Sequence, residues 1–249
     1  MITNMMMQID GKEVCCDLSA PQDISLHING ETAPNAFWLP KAEFNAFRMG
    51  SFVGSIEEGG PVRCDVVTLA PHGNGTHTEC VGHIAGKKYL ITECMSDVVD
   101  LAVVVSVDLE VAGGDLVVTR AALDAAWRDR SCSTLIIRTK PNEPSKCDRT
   151  WSGHNPPFMH IDAMRLIVEH NIRHLMIDLP SVDREEDSGA LVAHHEFWQW
   201  PRAPRTECTI TELIYVPDSI HDGLYVIMFN VAPFDGDAAP SRPMLFAVQ

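Results

Sequence analysis

Seven short runs of apolar or β-branched residues, each bounded by Gly, Pro, Asp or Asn, constrain the fold of this chain most strongly. They cover residues 62–69, 101–107, 115–119, 134–139, 174–177, 209–216 and 224–231. Runs of this length between turn-forming residues are typical of β-strands. Helical patterns lie between them at residues 121–127, with Thr119 as the cap, at 162–170 and at about 188–198. Because a helix, then Asn171, then a strand follow one another, we expect an α/β domain.

The size and charge of the chain narrow the class of protein. With 249 residues and 45% hydrophobic content the chain can bury a substantial core, and we expect one domain over residues 1–249. Its net charge of −15 repels phosphate backbones and anionic lipids, so neither a nucleic acid nor a membrane surface is an expected partner. No apolar run approaches the roughly 20 residues of a membrane span, and the first residues do not resemble a signal peptide.

Eight cysteines occur without a Cys-x-x-Cys pair, and several lie inside the apolar runs. This pattern indicates buried free thiols in a reducing compartment, the cytoplasm, rather than a disulfide framework. Cys80 lies within a histidine-rich segment. A thiolate ligand or nucleophile is one interpretation of Cys80, and a small buried filler is the favoured one.

The histidine-rich segment runs from His72 to His83 and reads His-Gly-Asn-Gly-Thr-His-Thr-Glu-Cys-Val-Gly-His. Imidazole and carboxylate together suit a divalent ion such as zinc or manganese. His77 and Glu79 are two residues apart, so in extended backbone they face the same way. Gly73 and Gly75 permit a tight turn that would return His72 to the same point. On these residues alone, a metal-binding loop and a metal-free surface loop are equally well supported.

Two downstream groups could complete a metal site. His194 and His195 lie in a helical pattern, where adjacent side chains point about 100° apart, so only one of them should face a given site. Glu212 lies in an apolar run, where an unpaired carboxylate is costly to bury. It should therefore face solvent, form a salt bridge or bind a metal, and the same argument applies to Asp178.

Together these residues resemble the metal-dependent cyclase family, which includes bacterial kynurenine formamidases and isatin hydrolases. The family signature His-x-Gly-Thr-His-x-Asp-x-x-x-His is similar to Gly75-Thr-His77-x-Glu79-x-x-x-His83. Further matches follow in family order at Asp17-Leu-Ser19, Ile177-Asp-Leu-Pro-Ser-Val-Asp183, Ala193-His194, Ile210-Thr-Glu212 and Pro240-Ser-Arg242. The resemblance covers nearly the whole chain. It implies a single mixed domain of the swivelling β/β/α type, with a β-barrel-like core flanked by helices, and a homodimer or higher homo-oligomer.

The resemblance also implies roles for individual residues. One or two divalent ions, Zn²⁺ or Mn²⁺, would be bound by His72, His77, Glu79, His194 and Glu212. His83 would be the catalytic acid and base, since imidazole titrates near neutral pH. Trp38 would contact the substrate, with a place in the core as the alternative.

The implied activity is hydrolysis of a small-molecule amide. An arylformamidase, which converts N-formylkynurenine to kynurenine and formate in tryptophan catabolism, is the first expectation. A hydrolase of a cyclic amide or lactone, similar to isatin hydrolase, is the alternative within enzymes. A family member that binds a metal or ligand without turnover is the alternative from another class.

The segment also departs from the family pattern. His72 stands one residue away from the place of the family's first ligand, which Gly73 occupies. Glu79 replaces an Asp and is longer by one methylene group, and Val81 replaces a Pro. Residues 200–205 form an insertion between His194 and Glu212. The substrate, the number of metal ions and the choice between His194 and His195 therefore stay open.

Overall fold

The computed structural model describes residues 4–9, 11–128 and 131–249. The first strands are β1 (Asn4–Ile9), β2 (Lys12–Asp17), β3 (Gln22–Asp23), β4 (Glu43–Ala46), β5 (Arg48–Met49), β6 (Phe52–Val53), β7 (Asp65–Thr68), β8 (His77–Glu79) and β9 (Val99–Asp108). They are followed by β10 (Glu110–Ala112), β11 (Asp115–Val118), β12 (Thr134–Lys140), β13 (Phe158–Met159), β14 (His174–Ile177), β15 (Thr209–Glu212), β16 (Gly223–Met228), β17 (Ala238–Pro240) and β18 (Met244–Ala247). The α-helices are α1 (Pro71–Asn74), α2 (Gly82–Ala85), α3 (Ile91–Cys94), α4 (Arg120–Ala126), α5 (Ile161–Glu169) and α6 (Val192–Trp198), and Pro144–Cys147 forms a 3₁₀-helix.

Within the described ranges, nine strands form the main sheet, in the order β17-β8-β15-β14-β12-β9-β16-β18-β3. The four central strands β15, β14, β12 and β9 are parallel, and the strands on both sides of them pair antiparallel. The sheet curls into a half-barrel with few helices against it, so the predicted α/β class with a barrel-like core is confirmed. The prediction of one domain over residues 1–249 stays a prediction.

The central strands are buried on both faces. Side chains of a strand alternate between its faces, and in β9 Val103 and Val105 belong to one core cluster while Ala102 and Val104 belong to another. The first cluster includes residues of α4, α5 and α6, whereas the second includes Ile24. Burial on both faces explains why β9 and β12 appear in the sequence as continuous apolar runs.

Two of the three helices predicted from the sequence have nearly the predicted bounds, and the third begins later. Helix α4 begins after Thr119, whose Oγ1 accepts a hydrogen bond from the Ala122 N–H at 3.1 Å, and α5 lies within one residue of its predicted bounds. Helix α6 begins at Val192 rather than at about residue 188. The reason is that Ser188 and Leu191 have positive φ angles of 59° and 43°, which a right-handed helix cannot contain.

Some predicted strands are shorter than their apolar runs. Strand β15 ends at Glu212 because Leu213 has a φ of 54°, and the run at 62–69 contributes only β7, which pairs with β4 outside the main sheet. The β1–β2 hairpin was not predicted. None of the helices in the described ranges is long and apolar enough to span a membrane.

Candidate metal centre

Strand β8 carries two of the candidate ligands. His77 and Glu79 are its first and third residues, so both side chains project to the same side, and both are fully buried. Thr78 between them hydrogen-bonds to Thr211 on β15. In the antiparallel pairing of the two strands Glu212 lies opposite His77, and its Oε2 is 3.4 Å from His77 Nε2. The register of the sheet therefore brings three predicted ligands to one point.

His72 reaches the same point from α1, although it stands one residue out of the family register. Its Nδ1 is 3.1 Å from Glu79 Oε2. A Cβ at Gly73 would lie 2.9 Å from the Ala36 carbonyl oxygen and 2.8 Å from Leu39 Cδ1. Position 73 therefore has no room for a side chain, and position 72 is the one that faces the cluster.

Helix α6 contributes His194. Its Nε2 is 3.0 Å from Glu79 Oε1 and 3.8 Å from Glu212 Oε1. The neighbouring His195 points elsewhere, since its Nδ1 donates a hydrogen bond to the Trp200 carbonyl at 3.2 Å. The turn of the helix thus separates the two histidines, and it is His194 that joins the cluster.

Each clustered imidazole of the candidate ligand set has one nitrogen bonded to an outer oxygen and the other facing inward. The pairs are His77 Nδ1 with Gly75 O at 3.0 Å, His194 Nδ1 with Asp183 Oδ2 at 2.6 Å and His72 Nε2 with Asp237 Oδ2 at 2.9 Å. Such partners fix the tautomer and aim the second nitrogen at a metal. Sequence reasoning assigned no role to Asp183 or Asp237. The Ser-Val-Asp segment and the residues before Pro240-Ser-Arg242 held the only signal for them.

Of the buried side-chain atoms that lack a hydrogen-bond partner in the described part of the chain, two belong to this cluster. They are His77 Nε2 and Glu79 Oε2. His72 Nδ1 is close to Glu79 Oε2 but does not have the geometry of a hydrogen bond to it. An unpaired buried polar group costs about 1–3 kcal/mol. One divalent ion would satisfy both atoms, and imidazole with carboxylate is a donor set that zinc and manganese accept. Donor atoms of His72, His77 and Glu79 lie within 4.8 Å of one another, so the residues fit a metal ion.

Opposed effects set the charges of the metal-free cluster. Burial alone would raise the pKa of Glu79, but the imidazoles of His83 and His194 hold it well below its usual range. Burial would lower the pKa of His194, yet the Glu79 carboxylate raises it well above its usual value. Burial likewise opposes the change at His72, where the hydrogen bond to Asp237 and the nearby Glu79 carboxylate raise the pKa to about 10. Protons on these imidazoles therefore balance the carboxylates, and a metal ion would displace them.

His83, the predicted acid and base, lies on α2 at the open side of the cluster. Its Nδ1 is 3.2 Å from Asp237 Oδ2 and 3.8 Å from Glu79 Oε2. Its ring centroid is 4.4 Å from that of His72 and 5.2 Å from that of His194. His83 is partly exposed, so it can exchange protons with a molecule beside the cluster.

A cavity of about 310 Å³ opens onto the cluster. His72, His83 and Glu212 contribute to its polar part, and its apolar walls are Phe37, Leu39 and Leu191. Trp38 is 61% exposed and does not line this cavity. The structure therefore does not bring Trp38 into the site, whereas it does bring in the two residues that flank Trp38 in the sequence.

Two other residues considered from the sequence have different surroundings. Cys80 is fully buried, and burial raises the pKa of its thiol, so the thiolate that would bind a metal is disfavoured. Asp178 is paired with Lys146 Nζ at 2.8 Å and accepts a hydrogen bond from the Thr139 hydroxyl at 2.9 Å. Asp178 is thus a structural carboxylate outside the candidate metal centre.

Solved structures with a similar fold include metal-dependent hydrolases. A potential metal-dependent hydrolase with cyclase activity is 17% identical, with a TM-score of 0.66 over 91% of this chain and 97% of that chain. A predicted metal-dependent hydrolase from Bacillus stearothermophilus is 19% identical, with a TM-score of 0.64 over 91% and 98%. An isatin hydrolase bound to the product analogue thioisatinate is 15% identical, with a TM-score of 0.66 over 93% and 94%. These likenesses confirm the predicted cyclase-type fold.

The sequence itself identifies the family. The family model described as "Putative cyclase" matches residues 16–184, which is more than half of the chain. This chain therefore belongs to the cyclase family, as its motifs predicted. No curated protein matches the sequence significantly.

Proposed function

We propose that this protein is a metal-dependent hydrolase of an N-aryl amide, with N-formylkynurenine, cleaved to kynurenine and formate, as the first candidate substrate. The observation that carries the proposal is the pair of unpartnered buried atoms, His77 Nε2 and Glu79 Oε2, beside an apolar-walled cavity. One or two Zn²⁺ or Mn²⁺ ions would be held by His72, His77, Glu79, His194 and Glu212. A divalent ion in such a site supplies Lewis-acid chemistry, polarising a carbonyl oxygen and increasing the acidity of water.

His83 carries the proton in this proposal. Its Nδ1–H donates to Asp237, so Nε2 is left as the basic nitrogen, and His83 lines the cavity. Nε2 takes a proton from water while the water oxygen bonds to the amide carbon, and it returns the proton to the amide nitrogen as the C–N bond breaks. The products are a carboxylic acid and an amine, so the atoms of one water molecule are fully accounted for.

The walls of the cavity suit an aromatic amine. Phe37, Leu39 and Leu191 offer apolar surface to an aryl ring in the cavity that His72, His83 and Glu212 also line. Phe37 and Leu39 thereby take the role that the sequence assigned to Trp38.

A cyclic amide or lactone is the second candidate substrate. It is favoured by the similarity in fold to an isatin hydrolase holding thioisatinate, a product analogue. Opening a cyclic N-aryl amide requires the same proton transfer by His83, so the proposed residues serve both reactions.

Metal analysis combined with a substrate screen tests the proposal. The protein would be stripped with a chelator, reloaded with Mn²⁺ or Zn²⁺ and offered N-formylkynurenine, isatin and an aryl lactone. We expect metal-dependent hydrolysis of an amide, and we expect His83→Ala to abolish it while leaving the metal bound. Metal binding without turnover of any of these substrates would contradict the proposal and favour a binding protein.

Two further expectations remain proposals. The cytoplasm is the proposed compartment, because all eight cysteines, including the exposed Cys64, are thiols rather than disulfides, and thiols persist in a reducing environment. The homodimer or higher homo-oligomer implied by the family stays a prediction, and light scattering of the purified protein would test it.

A further inference from the structure

Asp237 directly precedes β17, and the main sheet fixes its backbone. In the pairing of β17 with β8, Ala238 lies opposite Glu79. The Asp237 carbonyl also accepts a hydrogen bond from the Cys80 N–H at 2.9 Å. The strand that carries His77 and Glu79 therefore also determines where the Asp237 carboxylate stands.

One oxygen of Asp237 contacts two histidines. Oδ2 is 2.9 Å from His72 Nε2 and 3.2 Å from His83 Nδ1. A carboxylate only accepts hydrogen bonds, so both of these ring nitrogens must carry hydrogen. The opposite nitrogens are then free of hydrogen in the neutral rings: Nδ1 of His72, which faces Glu79, and Nε2 of His83.

We infer that Asp237 is a positioning residue, which through one oxygen fixes both the metal-facing nitrogen of His72 and the basic nitrogen of His83. A residue that orients a ligand without binding the ion affects metal affinity, and one that orients a base affects the rate. Asp237 thus couples the metal centre to proton transfer. The rate effect rests on the proposed function, whereas the effect on metal affinity stands without it.

The variant Asp237→Asn tests this inference, with Asp235→Asn as its matched control. Asp235 is exposed in the same loop, and the two substitutions change the charge equally. Co²⁺ is the probe, because its visible absorption reports the number and geometry of its ligands. For Asp237→Asn we expect the affinity for Co²⁺ to fall by about 10–100-fold, with an unchanged absorption spectrum at saturating Co²⁺. For Asp235→Asn we expect no change.

A second arm separates the two histidines. In a His72→Ala background, Asp237→Asn should no longer weaken Co²⁺ binding, because the residue through which it acts is gone. If the wild-type protein hydrolyses an amide, Asp237→Asn at saturating Co²⁺ should lower kcat about 10-fold or more with KM nearly unchanged, and Asp237→Glu should restore part of it.

Three results would overturn the inference. The first is equal Co²⁺ affinity in Asp237→Asn and Asp235→Asn. The second is an altered spectrum at saturation, which would make Asp237 a direct ligand. The third is an undiminished affinity penalty in the His72→Ala background. If no amide is hydrolysed by the wild-type protein, the proposed function fails while the Co²⁺ measurements still decide the role of Asp237; circular dichroism of each variant verifies folding.

Discussion

Two buried clusters of histidine and carboxylate lie at opposite ends of the central strands. The candidate metal centre lies where the parallel strands β14 and β15 end, and Glu212 is the last residue of β15. A second network, around His174 and Asp100, lies where these strands begin. His174 Nδ1 is 2.8 Å from the Thr209 hydroxyl and its Nε2 is 3.1 Å from Asp97 Oδ2. In this network the nitrogens of the imidazole are both paired, whereas His77 at the other end has an unpartnered Nε2.

Charge also separates the two clusters. In the His174 network a permanent cation, the Arg173 guanidinium, lies 2.6 Å from Asp97 and 3.8 Å from Asp100. Asp100 also accepts hydrogen bonds from Thr134 and from the Leu101 N–H. At the candidate metal centre Glu79 is balanced by the imidazoles of His83 and His194, whose protons a metal ion would displace. The lesson is that both clusters bring histidine close to carboxylate, and that the candidate metal centre differs by having buried donor atoms that the protein leaves unpartnered.

The largest expected contrast comes from removing one charge at the candidate metal centre. Glu79→Gln should weaken Mn²⁺ binding by more than about 100-fold, because loss of a direct ligand should exceed the 10–100-fold cost of losing an orienting partner. His174→Gln is the matched change in the other cluster and should leave Mn²⁺ affinity unchanged while lowering the free energy of unfolding by about 1–3 kcal/mol. Isothermal titration and urea unfolding measure the two effects. Equal Mn²⁺ affinity in the two variants would remove the distinction between the clusters.

A smaller contrast is expected between two aspartates that each bind a buried histidine. Asp183 accepts from His194 and also from the backbone N–H of Ala193, so Asp183→Asn should cost about 10–100-fold in Mn²⁺ affinity. Asp97→Asn, beside His174, should cost none. A similar loss of affinity in both variants would show that the effect is a general loss of packing rather than a misdirected ligand.

The smallest expected contrast is the response of the metal-free protein to pH. Burial alone would lower the pKa of His72, but the hydrogen bond to Asp237 and the nearby Glu79 carboxylate raise it from 6.5 to about 10. Its charged form therefore adds stability fully below about pH 6.5, and this is lost as pH rises through about 10. Burial lowers the pKa of His174 from 6.5, so its neutral form adds stability above that pH, and this is lost as pH falls.

Urea unfolding in a chelator between pH 5.5 and 10 measures this response. We expect His72→Gln to flatten the alkaline fall in stability and His174→Gln to flatten part of the acid fall. Saturating Mn²⁺ should also remove the alkaline fall, since bound metal replaces the proton on His72. An alkaline fall that is the same with and without His72 would contradict this assignment.

The parts of the molecule that could be predicted are those specified by local sequence. Strands β9 and β12 are buried on both faces and so leave uninterrupted apolar runs, and His77 and Glu79 owe their common direction to the two-residue period of a strand. The start of α6 could not be predicted, because it depends on the left-handed backbone of Leu191, a residue with no intrinsic preference for it.

The family resemblance supplied His194 and Glu212, but Asp237, which long-range pairing also brings to the site, escaped prediction. Asp237 is 154 positions from His83, and only the pairing of β17 with β8 makes them neighbours. His72 is a different case, since its place out of register argued against it until the close packing of Gly73 showed which position faces the cluster. The cavity is lined by Phe37 and Leu39 rather than by Trp38. This could not be predicted either, because the backbone there has consecutive positive φ angles, 58° at Phe37 and 52° at Trp38.

The most direct test of the central claim is a crystal structure of the protein grown with Mn²⁺, with anomalous diffraction measured at the manganese edge. We predict an anomalous peak within bonding distance of His77 Nε2 and Glu79 Oε2, which in the described part of the chain are buried and lack hydrogen-bond partners. No peak is expected beside His174 or Asp97. The absence of a manganese peak at His77 and Glu79, or a peak in the His174 network, would contradict the assignment of the metal site.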